Sequence, residues 1–402
     1  MQLLKRIKNK VLYLTSTKRR LAPVFRFQEY AKQFPGSVKV TIIEEGRYAE
    51  ICPVHFYRED KNSPYCFELP DTYSAELQQG VVIGGSSAII SREGFILYDL
   101  LADREKYNAN VTDNGLLLLF GHPQRVFGRY VYNFRKGKTV SLEKGISLAA
   151  NMSGNYYHFM FQVASKFFLL SKLNLPRDIP LLVDQRVVDI PQMKEVLSIL
   201  NSENRDIIPL VNGREYSVNK LICVSEPHIV TPNSISPREG RNGVFAFDKN
   251  ALDFLSKKLR DSVSDFHSSG SKRLFLTRKG TSKRNLNEEE LTPVLSKYGF
   301  VSVNTSQMSF RDQIKLFSSA EHIIGGSGAA FTNLLFSPKS SRALLFFSKK
   351  NYSTCYSSLT YALGIESVFM YSEVNVKTIH PKYYEISVSE LESYLTEIYG
   401  SI

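Results

Sequence analysis

Residues Ala320 to Phe336 read AEHIIGGSGAAFTNLLF. A short apolar strand, His322 to Ile324, runs into Gly325, Gly326, Ser327 and Gly328, and then into a small-residue helix start at Ala329, Ala330 and Phe331. This is the layout of a phosphate cradle. Glycines let a ligand approach the backbone closely, and the first N–H groups of a helix have no acceptor within it and point at an anion. The same residues also suit a plain strand-to-helix turn. No Gly-Lys-Ser/Thr follows, which excludes a P-loop, and the spacing does not satisfy the dinucleotide fingerprint.

Upstream lies LTRKGTSKRNLNEE, Leu276 to Glu289. Arg278 directly follows a strand, and Lys283 and Arg284 sit in the ensuing loop, where a departing diphosphate needs cationic donors because its negative charge grows as it leaves. Glu288 opens a helix, where an acid favours the dipole; binding a ribose or base hydroxyl is the other reading. Strand and helix alternate from RLFLTR through NEEELTPVLSKYG, FVSVNT, SFRDQIKLFSSA and HIIGG to ALLFFS and SVFMY. A last helix is framed by Ser387 and Glu390 as a capping box.

The N-terminal half carries a second alternation. A strand at Ile146 to Ala150 turns through Asn151 to Asn155 into YYHFMFQVASKFFLLSKL, an apolar amphipathic helix from Tyr156 to Leu173. PLLVDQ, PQMKEVLSIL, DIIPLV and KLICVS follow, the pattern of a Rossmann-like parallel sheet. His158 sits in the first helical turn after a strand end, where open α/β sheets bind ligands; a core histidine bonded to backbone is the competing reading. Before this, VKVTIIE, GVVIGG, AIISREG and FILYDLL predict an antiparallel β meander, read as an accessory layer.

The chain has 402 residues, 43% hydrophobic and 22% charged, enough for two cores. A formal charge of +12 implies an anionic partner. Basic residues alternate with Leu3, Leu4, Ile7, Val11 and Leu14 at helical spacing, which predicts a basic amphipathic helix over residues 1–20 able to lie on an anionic membrane surface. The four cysteines, Cys52, Cys66, Cys223 and Cys355, show no metal spacing and read as reduced thiols, with a Cys52–Cys66 bridge left open. No apolar run is long enough to span a membrane, and the N-terminus shows no secretory signal. There is no D-x-D, H-E-x-x-H or Cys/His cluster, so no metal is expected, and no aromatic-plus-basic motif, so no nucleic-acid partner is expected.

Three segments in register resemble family 61 glycosyltransferases: NYYHFMFQVASKFFLL at Asn155, LFLTRKGTSKRNLNEEEL at Leu274 and MSFRDQIKLFSSAEHIIGGSGAAFTNLLF at Met308. GVVIGGSSAIISREGFILYD is similar to the family's N-terminal strands, so the resemblance runs from Gly80 to Tyr371. It implies a GT-B architecture and inverting, metal-independent transfer from a nucleotide sugar, usually a UDP-sugar. Carried over, Arg278 and Arg284 hold the diphosphate, the Gly326 to Ala329 backbone cradles it, and Thr332 and Asn333 support that loop. His158 becomes the candidate base, with Asn155, Tyr157 and Gln162 on the acceptor side. This chain has Ser327 where the family often has His, and ALLFFS lacks the usual Glu. It has Gln162 where an acid usually stands, so His158 or another carboxylate must take the proton.

The expectation is therefore an α/β, GT-B-like chain of two Rossmann-like domains facing a cleft. Its parts are a basic segment (1–36), an acceptor-side domain (37–230), a linker (231–243) and a nucleotide-sugar domain (244–402). Lys283, Glu288, Gly325 and Gly328 complete the expected donor site. The expected acceptor is a hydroxyl of a surface polysaccharide or a lipid-linked glycan, handled at the inner face of a bacterial cytoplasmic membrane. A catalytically inactive glycan- or sugar-nucleotide-binding subunit and a basic nucleic-acid-binding protein are the alternatives.

Overall fold

The computed structural model describes residues 20–103, 106–107, 124–126, 129–134, 139–231, 244–263, 272–279, 285–348, 353–372 and 383–401. The expected helix over residues 1–20 therefore lies almost wholly outside the described residues, as do Lys283, Arg284 and most of the expected linker. The chain forms a two-domain α/β fold, one compact unit from residues 1–46 and 70–235 and a second from 47–69 and 236–402.

In the first unit, Thr139–Ser147 pairs in parallel with Leu181–Asp184 on one side and Glu215–Val224 on the other, and Ile207–Leu210 lies outside Leu181–Asp184. Numbered along the chain, these four strands stand in the order 3-2-1-4, a Rossmann arrangement. All of Leu181–Asp184 is buried, the continuous pattern of a strand covered on both faces. Glu215–Val224 also pairs antiparallel with the long strand Thr72–Ile83, which takes Val38–Glu44 and Ile89–Ile90 as further antiparallel neighbours. The meander is thus real, but it is no separate layer: it continues the parallel sheet into a mixed one. Arg20–Phe25 joins Ile96–Leu97 in parallel and Arg129–Phe134 antiparallel, bringing the sheet to eleven strands. This corrects the expectation of a basic segment through residue 36. Phe25, Phe27 and Tyr30 are core residues; the rings of Phe25 and Tyr30 pack against Phe34 and Phe95, and that of Phe27 against Tyr73.

The second unit holds an all-parallel sheet of five strands in the order Val301–Val303, Arg273–Leu276, His322–Gly326, Arg342–Ser348, Glu366–Ser372. Counted along the chain this is 2-1-3-4-5, the other common doubly wound order. Helices Glu288–Lys297, Phe310–Ser318 and Cys355–Leu363 connect the strands, and Val388–Tyr399 closes the chain. The expected capping box is formed in part, Ser387 accepting from the Glu390 N–H, with Leu391, Tyr394 and Leu395 buried. The hairpin Arg47–Ile51/Tyr65–Leu69, expected within the acceptor-side domain, packs with this unit instead: Ser357 Oγ donates to the Cys52 carbonyl (2.6 Å) and Tyr57 N–H to the Phe369 carbonyl (2.8 Å). All four cysteines are free thiols.

His322, at the start of the glycine-bearing strand, is buried between two tyrosines, Nδ1 2.8 Å from the Tyr399 hydroxyl and Nε2 3.2 Å from that of Tyr394. Burial, with Arg342 and Arg273 nearby, pushes its pKa down to about 3. An unfolded histidine takes up a proton as pH falls through about 6.5, whereas the folded one stays neutral, so acid favours the unfolded chain. The stabilisation is complete above that value and is lost as pH falls toward 3. By pH 5 this one group is expected to cost about 2 kcal/mol, and His322→Asn should flatten the fall in denaturant midpoint between pH 7 and 5.

Candidate functional site

Two polar clusters stand at the topological switch points of the two sheets, where adjacent strands send their connections to opposite faces and the ends splay to admit a ligand.

In the second unit the switch lies between Arg273–Leu276 and His322–Gly326, which are hydrogen-bonded neighbours. The first strand ends on Thr277 and Arg278, the second on the glycine turn. Arg278 Nη1 donates to the Ser327 carbonyl (2.8 Å) and reaches the Gly326 carbonyl (3.5 Å), so the guanidinium clasps the turn. The glycines make room for this clasp. A Cβ on Gly328 would fall 2.2 Å from Arg278 Nη1, and one on Gly326 would fall 3.2 Å from Arg278 Cδ. Gly325 serves the sheet itself, since its Cβ would meet the Leu276 carbonyl oxygen at 2.9 Å.

The turn is fixed from several sides. Ser327 is buried, and its N–H donates to the Phe346 carbonyl (2.9 Å); Tyr356 OH donates to the Gly328 carbonyl (2.6 Å). The chain then enters the expected helix at Ala329, which is a 3-10 helix over Ala329–Phe336. Its first internal bond runs from Phe331 N–H to the Gly328 carbonyl (3.0 Å), so the amides of Ala329 and Ala330 precede the ladder, and both residues are half-buried. Asn333 is fully buried and donates to Gln313 Oε1 (2.7 Å), while Gln313 Nε2 donates to the Thr305 carbonyl (3.0 Å). This ties the 3-10 helix to the helix Phe310–Ser318; Thr332 is buried beside Asn333.

Glu288 is buried, and both carboxylate oxygens hold the strand end: one accepts from the Arg278 backbone N–H (2.5 Å), the other from the Thr277 hydroxyl. Its place in the structure is beneath Arg278, as the group that fixes the backbone there. Asn287 ties the same helix start to Ile386, accepting from its N–H and donating to its carbonyl, both at 3.0 Å.

In the first unit the switch lies between Thr139–Ser147 and Glu215–Val224. After the first strand the loop turns through Met152, an exposed residue with a left-handed φ of 61°, a conformation uncommon for residues other than glycine. Asn155 caps the following helix, its Oδ1 accepting from Tyr157 N–H (3.0 Å). The helix is α only over Tyr156–His158; Phe159–Ala164 is a π-helix, and Lys166–Leu170 is α again. The cause is local. Ser165 Oγ takes the Phe161 carbonyl (2.7 Å), the usual partner of its own N–H, which reaches back to Met160 instead (3.1 Å). Such widened turns recur at functional sites.

His158 and Gln162 lie on this segment, with His158 Nδ1 2.7 Å from Gln162 Oε1. Gln162 Nε2 donates onward to Glu226 Oε2 (3.1 Å), and Glu226 Oε1 accepts from Ser87 Oγ (3.3 Å). Burial holds His158 below the ordinary histidine range, so its ring is neutral at pH 7. Burial raises the Glu226 carboxyl, against the pull of Lys166. The Tyr157 ring is buried edge-on to His158 and Phe161, with centroids 5.5 and 4.9 Å apart, which makes it packing for the imidazole.

Residues 156–344 match the family model for glycosyltransferase 61. They are a glycosyltransferase family 61 domain. The span begins at the first residue of the His158 helix and ends in the strand after the glycine turn, so it contains the whole switch point of the second unit and, of the first, the His158 helix and Glu215–Val224 but not Thr139–Ser147. The protein is accordingly a transferase acting between a sugar donor and an acceptor. The match is narrower than the resemblance from Gly80 to Tyr371, leaving the meander outside the domain. No curated protein matches the chain.

Of the expected site residues, Arg278 and Glu288 stand beside the turn that holds Gly325, Gly326, Ser327 and Gly328, and Ala329, Thr332 and Asn333 lie in the 3-10 helix that follows it. Asn155, Tyr157, His158 and Gln162 form the other cluster. Glu226, Gln313 and Tyr356 were missed. Glu226 follows a strand directly, the same signal that marked Arg278. No group of three or more metal-ligating side chains occurs among the described residues, and none of the helices searched there is long and apolar enough to cross a membrane.

Proposed function

We propose that this family 61 domain belongs to a GT-B-like, inverting, metal-independent enzyme that moves a sugar from a UDP-sugar to a hydroxyl of a surface polysaccharide or lipid-linked glycan. The observation that carries the donor side is the clasp of Arg278 across Gly326 and Ser327 at a switch point. An arginine fork held at a strand end beside the unladdered amides of Ala329 and Ala330 suits a diphosphate, which needs charge-assisted donors that strengthen as the leaving group gains charge. Lys283 and Arg284, in the loop after Arg278, are proposed to add to it.

The first unit then serves the acceptor. A hydroxyl gives its proton to His158 Nε2 as its oxygen attacks the anomeric carbon; the bond to the diphosphate oxygen breaks on the opposite face, and UDP leaves with that electron pair. His158 suits this role because its ring is neutral and its Nδ1 is occupied by Gln162. We place the enzyme at the inner face of a bacterial cytoplasmic membrane, the basic residues of the first twenty meeting anionic lipid.

A mass-spectrometric screen of nucleotide sugars against lipid-linked and oligosaccharide acceptors tests the reading. It is expected to show one UDP-sugar consumed in an acceptor-dependent reaction whose rate excess EDTA leaves unchanged. Donor hydrolysis or binding without transfer to any acceptor would instead mark a binding subunit. Abolition by EDTA, with recovery on adding a divalent ion, would refute metal independence.

A further inference from the structure

We infer that Glu226 is a positioning residue for His158, acting through the side-chain amide of Gln162 to keep the imidazole proton on Nδ1 and the lone pair on Nε2. The inference rests on the reading of His158 as the base. The acid stands one step away from the ring, at the end of the neighbouring strand, and an amide carries its polarity across.

The argument is one of donors and acceptors. A side-chain amide has an accepting end and a donating end, and the group it faces decides which way it turns. Both Glu226 oxygens are placed as acceptors, Oε2 from the Gln162 NH2 (3.1 Å) and Oε1 from Ser87 Oγ (3.3 Å), which leaves Gln162 Oε1 toward His158 (2.7 Å). A carbonyl oxygen only accepts, so His158 Nδ1 must carry the hydrogen, and a neutral ring then presents its lone pair at Nε2. The far end of the chain has the same polarity. Asn151 N–H donates to Ser87 Oγ (3.1 Å), so the Ser87 hydroxyl hydrogen is available for Glu226 Oε1 (3.3 Å).

Every link from Asn151 to His158 therefore runs toward the accepting oxygens of Glu226. The titratable groups around that carboxylate are Lys166, on the helical segment of Gln162, which favours ionisation; Asp99, which opposes it; and Tyr73, whose hydroxyl donates to Asp99 (2.6 Å). Lys166 is itself buried, with Nζ 3.3 Å from the Ala149 carbonyl.

The chain predicts what happens when the charge is removed. In Glu226→Gln the new amide can donate as well as accept, so Gln162 is free to turn its NH2 toward His158, and the ring moves its proton to Nε2. Nitrogen-15 spectra of the full-length protein, labelled at histidine and assigned with His158→Gln, read the tautomer directly at pH 7.5. The expected results are Nδ1–H in the wild type, a substantial Nε2–H population in Glu226→Gln, and recovery of Nδ1–H in Gln162→Glu/Glu226→Gln, where a carboxylate faces the ring directly. Turnover should fall on the order of 10²-fold in Glu226→Gln, with donor KM unchanged, and rise again in the double variant.

A wild-type Nε2–H ring, or a tautomer that ignores Glu226→Gln, overturns the inference. So does loss of turnover in Glu226→Gln with the tautomer unchanged, which would make Glu226 itself the base. If the tautomer responds as stated but His158→Ala transfers sugar at full rate, the positioning stands and the reading of His158 as base fails.

Discussion

Gly328→Ala is expected to weaken UDP binding by roughly 10²-fold, the equivalent of about 3 kcal/mol for a hydrogen-bonded charge, while leaving the fold intact. Gly328 has φ 178°, an extended conformation that any residue adopts, so the methyl group introduces no backbone strain. What it meets is the end of a flexible side chain: Arg278 Nη1 at 2.2 Å and Cζ at 3.1 Å. The guanidinium must swing off the turn and give up the Ser327 carbonyl. Arg278→Ala should reproduce the loss in full, and Arg278→Lys in part, because an ammonium keeps the charge without the planar fork. Gly325→Ala is the contrasting variant. Its methyl would press on the Leu276 backbone at 2.9 Å, which cannot step aside, so it should lower the unfolding temperature as well. Isothermal calorimetry with UDP, paired with thermal unfolding, separates the two. Unchanged UDP affinity in both Gly328→Ala and Arg278→Ala would remove the diphosphate from this turn.

That experiment turns on a function of the glycines that local sequence does not reveal. The spacing from His322 to Ala330 was enough to place a strand, a tight turn and a helical start, because strand period and glycine punctuation are local signals. It could not say what fills the space the glycines leave. The occupant is a side chain from Arg278, forty-eight residues before Gly326, and the two meet only because strands Arg273–Leu276 and His322–Gly326 are neighbours in a 2-1-3-4-5 sheet. Strand order is a property of the whole chain, and no window of sequence contains it.

Glu226 was hidden for the same reason. The strand before it was legible, but its place beside Thr139–Ser147 was not, and that pairing sets the carboxylate beside the His158 helix. The meander was recognised in pieces because Thr72–Ile83 breaks its own alternation. Gln78 and Gln79 are both exposed near its middle, and Gln79 takes a left-handed φ of 62°. The hairpin 47–69 carries no compositional mark of leaving its neighbours in sequence for the second unit. The Ser387 cap was legible because it acts within three residues of itself, whereas Asn155, expected on the acceptor side, caps its helix in the structure.

His158→Ala is expected to lower the turnover of the proposed reaction by 10²- to 10⁴-fold, roughly the usual contribution of a general base, with little change in donor KM. The proposed donor clasp is Arg278 and the glycine turn of the second unit, whereas His158 lies in the first, so donor binding and proton removal should be separable. The pH profile supplies a second readout. A base works only when unprotonated, so the rate rises as pH passes upward through its pKa. Burial places that pKa below the ordinary histidine value of about 6.5, so turnover should already be level at pH 7 and fall only toward acid. An exposed histidine in the same role would still be gaining rate between pH 6 and 7. The alanine variant leaves an imidazole-sized space beside Tyr157 and Gln162, so added imidazole should recover part of the lost rate. Full turnover in His158→Ala would move the proton to another acceptor, and Glu226, the nearest carboxylate along the same hydrogen-bond chain, is where the search would then begin.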